Sequence, residues 1–327
     1  MRVVVLGAGG VGSVVAGYLA RAGHEAVMLA REGHVRAVRN SGLHIKGLNS
    51  FRVALPAFPE ASGLKDADLL LVTVKAKDTE SALSGVGHLR VGCVVSLQNG
   101  VLKNELLGQM FGWSKVVGAT TMIGATLVKD GVVEHTLDGI TFLGELDGTP
   151  SARVNQIVDA LVDAGLKAAV VDNIKSIEWT KQALQNPFAA LAAITRLPLE
   201  QIWVNPQLAE LSVHMFREVA GVARASGATL SDHPEWSLFN LKALRDAPFH
   251  EAVQKLIELG DQAIASDRKS IIPSMLQDVL AGKQTEVEST IGNVMREGRR
   301  LGVPVPYTEF AYGIVKTIQE NYNRTLK

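Results

Sequence analysis

Residues 2–6 read Arg-Val-Val-Val-Leu, and Gly7-Ala8-Gly9-Gly10-Val11-Gly12 follows at once. The apolar run has the length of a strand buried on both faces. Residues 13–22 then carry apolar side chains at helical spacing, and a second apolar run fills 26–30. Strand, glycine turn, helix and strand in this order give a G-x-G-x-x-G pattern the context of a dinucleotide phosphate site. Gly7 permits the tight turn, Gly9 lets the backbone approach a pyrophosphate, and Gly12 lets the helix pack close to the sheet. The unpaired amides and positive dipole at the helix start suit the phosphates. Residues 3–20 carry no charge, which approaches the length of a membrane span. Five of those eighteen residues are glycine, and no small-residue cleavage site follows. Neither a span nor a signal peptide is therefore expected.

At 327 residues the chain has the length of about two domains. It is 47% apolar and 20% charged, so it can bury sizeable cores. Lys and Arg number 33, as do Asp and Glu. Zero net charge gives no electrostatic case for nucleic acid or an anionic membrane as partner. Cys93 is the only cysteine, which excludes an intrachain disulfide, and no Cys/His cluster has zinc spacing, so no metal is expected. Cys93 lies in the apolar run 91–97 and reads as a buried, inert thiol. The cytoplasm is the simplest compartment.

Arg31 and Glu32 follow the second strand, where a dinucleotide fold meets the adenosine ribose. A guanidinium fork there suits the 2′-phosphate of NADP, while Glu32 suits the 2′-hydroxyl of NAD. Residues 68–75 form a further strand with Lys75 at its carboxyl end, and residues 94–100 another, ending in Asn99 and a glycine turn. Ligands bind at that edge of open α/β sheets, although Lys75 equally reads as a snorkelling surface lysine. Residues 116–128 and 140–143 are β-like, joined by a turn at 129–131. A helix at 151–164 and a short strand at 168–171 close this part. Beyond Asp172 helical patterns take over, at about 174–195, 207–226, 236–244, 249–266, 284–301 and 307–322. The expected domains are 1–173 and 174–327.

Lys181, Gln185 and Ala189 share one face of the first of these helices, with Glu178 able to pair with Lys181. Pro187 should kink that helix near residue 183. Spacing alone describes a solvated lysine more often than a catalytic one. Ser274-Met-Leu-Gln-Asp278 and the run from Lys283 through Glu288 form a second polar cluster, and 284–286 reads as a helix start.

Seven ordered segments resemble the ketopantoate reductases. They are Gly7 to Gly12, Leu29-Ala-Arg31-Glu-Gly-His34, Val72-Thr-Val-Lys75-Ala, Ser96-Leu-Gln-Asn99-Gly100, Trp179-Thr-Lys181, Ser274-Met-Leu-Gln-Asp and Thr285-Glu286-Val-Glu-Ser-Thr-Ile-Gly292. The likeness runs from about residue 1 to 315. It implies an α/β fold, with an N-terminal Rossmann dinucleotide-binding domain followed by a mainly α-helical C-terminal domain. It implies NADPH-dependent reduction of a 2-oxo acid, 2-dehydropantoate to pantoate, as in pantothenate biosynthesis. Carried over by position, Lys181 is the proton donor. Asn99 touches nicotinamide and substrate, and Ser274 the substrate carboxylate. Gly7, Ala8, Gly9, Gly10, Val11 and Gly12 hold the dinucleotide. Lys75, Glu286 and Ala125 lie on the cofactor side, and Arg31 at the 2′-phosphate.

Two departures bear on the substrate. The family places asparagines four and eight residues after the lysine, where this chain has Gln185 and Ala189. Asn186 lies about 140° round the helix from Lys181 and is not expected to substitute unless the Pro187 kink turns it. The family also tends to place asparagine before Gly292, where Ile291 stands. Discrimination for the substrate hydroxyl is therefore expected to be weak, and turnover of ketopantoate measurable but poor. The alternatives are reduction of another branched or aromatic 2-oxo acid, or of an imine, and a non-catalytic NADP-binding regulator. A homodimer is one admissible assembly.

Overall fold

Within Arg2–Leu6 alternate side chains enter two different cores: Val3 and Val5 one, Val4 and Leu6 the other. Only a strand covered on both faces needs apolar residues at every position. The computed structural model shows this strand at the centre of a sheet, and describes residues 1–234, 239–266 and 270–322. The chain divides into two units, Met1–Lys175 and Ser176–Lys327.

In the first unit the strands are β1 (Arg2–Leu6), β2 (Glu25–Leu29), β3 (Leu43–Gly47), β4 (Phe51–Val53), β5 (Ala57–Phe58), β6 (Asp66–Val72), β7 (Arg90–Ser96), β8 (Val116–Thr121), β9 (Gly124–Lys129), β10 (Val132–Leu137), β11 (Thr141–Glu145) and β12 (Ala168–Val170). The main sheet runs β12-β11-β8-β7-β6-β1-β2-β5. Its pairs are parallel except β8 with β11. Chain order departs from β1 in both directions, so the strand order reverses beside β1. Crevices for ligands open at such switch points, outside the carboxyl ends of the strands. The helices are α1 (Gly10–Arg21), α2 (Glu32–Ser41), α3 (Thr79–Ser84), α4 (Lys103–Phe111) and α5 (Ala152–Asp163). Ser151 starts α5 by accepting the Val154 amide at 3.3 Å.

A second sheet, β4-β3-β10-β9, was not expected from the sequence. It packs on α1: a Cβ on Gly17 would press on Ile45 and Leu43 of β3. Helix α1 thus has apolar neighbours on both sides and is buried almost throughout.

The second unit is helical among its described residues. It holds most of α6 (Ile174–Thr195), then α7 (Leu199–Val204), α8 (Pro206–Ala225), α9 (Leu241–Asp246), α10 (Phe249–Ala265), α11 (Ser274–Leu280), α12 (Ile291–Leu301) and α13 (Pro306–Glu320). Helix α6 stops before Arg196, which takes φ 62°, two residues before Pro198. Asn205 caps α8 by accepting the Leu208 amide at 3.1 Å, with Pro206 at the first helical position. Glu218 of α8 accepts the amides of Tyr307 and Thr308 at 2.9 and 2.8 Å and so caps α13.

Two helices differ from expectation. The pattern at 236–244 becomes a helix only at 241, with 236–238 lying outside the described residues. The helix expected from 284 begins at Ile291. Its would-be first turn is diverted, because Thr285 gives its amide and hydroxyl to Gln319 at 3.1 and 2.7 Å. Helices α7 and α11 were not anticipated.

Candidate active site

Leu29, Leu6, Val72 and Ser96 lie in register across β2, β1, β6 and β7. The segments that follow them therefore leave the sheet along one edge. The glycine turn follows β1, Arg31 follows β2, Lys75 follows β6 and Asn99 follows β7. Lys75 lies three residues past its strand, at the start of a 3₁₀ turn, and is exposed. Asn99 is half-buried beside Gln98. Gln98 anchors that loop by donating to the Val74 carbonyl at 2.8 Å and Thr79 Oγ1 at 2.7 Å.

The glycine turn fits a dinucleotide phosphate. Gly7 takes φ +94°, a conformation that side chains resist, and the Val74 backbone leaves no room for a Cβ. A Cβ on Gly9 would meet nothing nearer than 3.9 Å, so the backbone there borders open space. A Cβ on Gly12 would collide with Thr73, which donates to the Gly7 carbonyl at 2.9 Å and braces the turn. Gly10 has no room for one either, because the Ala125 carbonyl of β9 stands there. This contact brings Ala125 to the glycine turn. The first amides of α1 have no acceptor within the helix, and no side chain caps it. Those amides and the dipole are what a pyrophosphate binds.

Arg31 is the N-cap of α2 and exposed, and its guanidinium makes no bond with the described residues. It stands available for a phosphate. Glu32 beside it is exposed as well.

In the second unit Lys181 is only 7% exposed. The solvated lysine that spacing suggests is thereby excluded. Taking Lys181 as zero and 100° per residue, Gln185 lies at about 40°, Glu178 at 60°, Ala189 at 80°, Gln182 at 100° and Asn186 at 140°. Glu178, Gln182, Asn186 and Ala189 are buried and Gln185 is half-buried. Gln182 Oε1, Gln185 Oε1 and both amide atoms of Asn186 are buried without a protein partner among the described residues. Each such atom costs about 1–3 kcal/mol unless something bonds it. An apolar helix face would be cheaper for stability alone, so this arc has the chemistry of a polar ligand site.

Glu286 is half-buried in the turn before α12. Its neighbours are fixed to α13: Thr285 by Gln319, and Glu288 by Tyr312 and Lys316, each at 2.7 Å. Burial works against ionisation of Glu288, but its bonds to Lys316 and Tyr312 outweigh it and hold the carboxyl below its usual range. Ser274 opens α11, exposed, with its hydroxyl unbonded among the described residues.

Cys93 donates to the Asp68 carbonyl at 3.4 Å, and burial pushes its thiol up to about 11, which leaves it inert. Among the described residues no cluster of His, Cys, Asp or Glu could hold a metal, and no helix is long and apolar enough to cross a membrane. Thr73, Gln182, Ser13 and a role for His34 are not marked by the sequence pattern. Only His34 carried a signal, three residues after Arg31.

The family model described as ketopantoate reductase PanE/ApbA matches residues 3–148, and the one described as its C terminal matches 173–319. A 2-dehydropantoate 2-reductase of Archaeoglobus fulgidus is 31% identical over 97% of this chain and 98% of its own. The crystal structure of a PanE/ApbA family ketopantoate reductase from Ralstonia eutropha is 28% identical, with TM-score 0.83, covering 99% of this chain and 100% of that one. D-mandelate dehydrogenase, solved with NADH and anilino(oxo)acetate, shares the fold at 21% identity and TM-score 0.83, over 99% of each chain. With both halves of the chain matched, it belongs to the ketopantoate reductase PanE/ApbA family.

Proposed function

We propose that this protein reduces 2-dehydropantoate to pantoate with NADPH, in the cytoplasm. The observation that carries the reading is Lys181, a buried lysine on an arc of amides that keep buried polar atoms without a protein partner among the described residues. An ammonium in such a setting is suited to a substrate oxygen that gains negative charge. Bound NADPH supplies the hydride. The amides of residues 10–12 and the Arg31 guanidinium would hold its phosphates, with Lys75, Ala125 and Glu286 on the cofactor side. Lys181 carries the proton that the ketone oxygen takes up, and its charge stabilises that oxygen. Asn99 and Ser274 hold the carboxylate, and Gln185 meets the substrate from the turn of α6 after Lys181.

NADPH oxidation followed with a panel of 2-oxo acids tests this. Turnover should be greatest with 2-dehydropantoate, against the poor turnover expected from Gln185 and Ala189 alone, because the buried amides of Gln182 and Asn186 offer its hydroxyl further partners. Lys181→Ala should lower kcat by about 10²–10⁴-fold, the range for a positioned general acid, while NADPH still binds. Near-normal kcat in that variant would remove Lys181 from the chemistry. Tight NADPH binding with no turnover of any 2-oxo acid would replace the enzyme by a cofactor-binding regulator.

A further inference from the structure

The turn between β9 and β10 is joined to the glycine turn through one buried histidine. The Gly131 amide donates to His34 Nδ1 at 2.9 Å, His34 Nε2 lies 3.2 Å from Ser13 Oγ, and Ser13 Oγ donates to the Ala8 carbonyl at 3.0 Å. Counting protons fixes every role. A backbone amide can only donate, so Nδ1 is the bare nitrogen. The single serine proton goes to Ala8, so Oγ accepts from the ring and Nε2 carries its proton. Ser13 is 0% exposed and His34 2%, which leaves little room for water to replace either.

The Ala8 peptide is thus held at both ends, because its own amide donates to the Leu29 carbonyl at 3.0 Å. Residues 9–12 follow directly. Amides fixed in advance bind an anion without a further ordering cost. The Ala125 carbonyl beside Gly10 gives the same hairpin a second, close-packed contact with the turn. Asp130, at the hairpin tip, has its carboxylate against Gly33.

We propose that His34, as the neutral Nε2–H tautomer, is a positioning residue for the dinucleotide: through Ser13 it fixes Ala8, and with it the amides that receive the pyrophosphate. The proposal rests on the NADPH reading above. It assigns the histidine of the Arg31-Glu-Gly-His34 segment to the phosphate turn, apart from the ribose end where Arg31 stands.

NADPH titration of the full chain, followed by cofactor fluorescence, tests it. Ser13→Ala removes one hydroxyl, and His34→Leu removes both ring bonds. Each should raise the NADPH Kd by about two- to tenfold, the equivalent of one hydrogen bond, while kcat at saturating NADPH stays near the wild-type value. His34→Gln keeps an amide donor for Ser13 and should recover most of the affinity. Should His34→Leu fail to fold, Ser13→Ala and His34→Gln still decide. Unchanged Kd in Ser13→Ala overturns the proposal, and so does a kcat loss as large as the loss of affinity. Failure of the unaltered chain to bind NADPH would instead overturn the cofactor reading.

Discussion

We assign cofactor choice to Arg31. It is exposed, unbonded among the described residues, and lies next to Glu32, so the two charges offer opposite preferences at one ribose. Family membership favours the arginine. Arg31→Ala should weaken NADPH by roughly 1.5–3 kcal/mol, the range for a hydrogen bond to a charged group, and leave NADH nearly unchanged. Comparing the two Kd values checks this, and equal losses would show that Arg31 does not read the 2′-phosphate. The placement of Arg31, Lys75 and Asn99 along one sheet edge was legible in the sequence, because each follows an apolar strand. His34 was not. Its role depends on Gly131, 97 residues away, and no local pattern reports a partner at that distance.

Helix α6 shows what an element adds to its residues. The sequence gives its length, Lys181 and the family's missing asparagines, but periodicity cannot say that the polar side is buried. The helix continues through Pro187, and Asn186 beside it is 1% exposed. If the Asn186 amide serves a ligand, it weakens the folded protein without one. Asn186→Leu should therefore leave Tm unchanged or raise it, since replacing an unbonded buried polar group by an apolar one relieves its desolvation cost. Its kcat/KM for 2-dehydropantoate should fall about tenfold, near 1.4 kcal/mol. A fall in Tm with kcat/KM intact would mean that the amide bonds a structural water. The late start of α12 was illegible for a different reason. The Glu286 carbonyl accepts the amides of Ser289 and Thr290 and their hydroxyls, so 286–290 forms a compact turn where helical spacing alone predicts a helix. The small sheet was hidden because β3 pairs with β10, far along the chain.

For the whole molecule, positive and negative side chains balance, so acid sensitivity falls on a few buried groups. Burial holds His34 below its ordinary value against the pull of Asp130. Burial does the same to His135, against its bond to the Leu137 carbonyl and against Asp138. Arg153 holds the Glu145 carboxyl low through bonds at 2.7 and 2.6 Å, against burial and with help from Ser151. Unfolded histidine titrates near about 6.5. As pH falls below that, the unfolded chain takes up protons that the folded imidazoles refuse, so stability declines until their lowered values are reached. Glu145 acts lower on the scale. Its contribution is complete above the unfolded glutamate value of about 4.3 and is lost as pH falls from there toward the folded value. Thermal unfolding should therefore show a flat Tm from about pH 7 to 8, a first decline below about 6.5 and a second below about 4.3. Joint replacement of His34 and His135 by glutamine should remove the first decline and leave the second. A wild-type Tm that stays level between pH 7 and 5 would mean that the two imidazoles accept protons in place, and that the hydrogen bonds of the hairpin survive their charging.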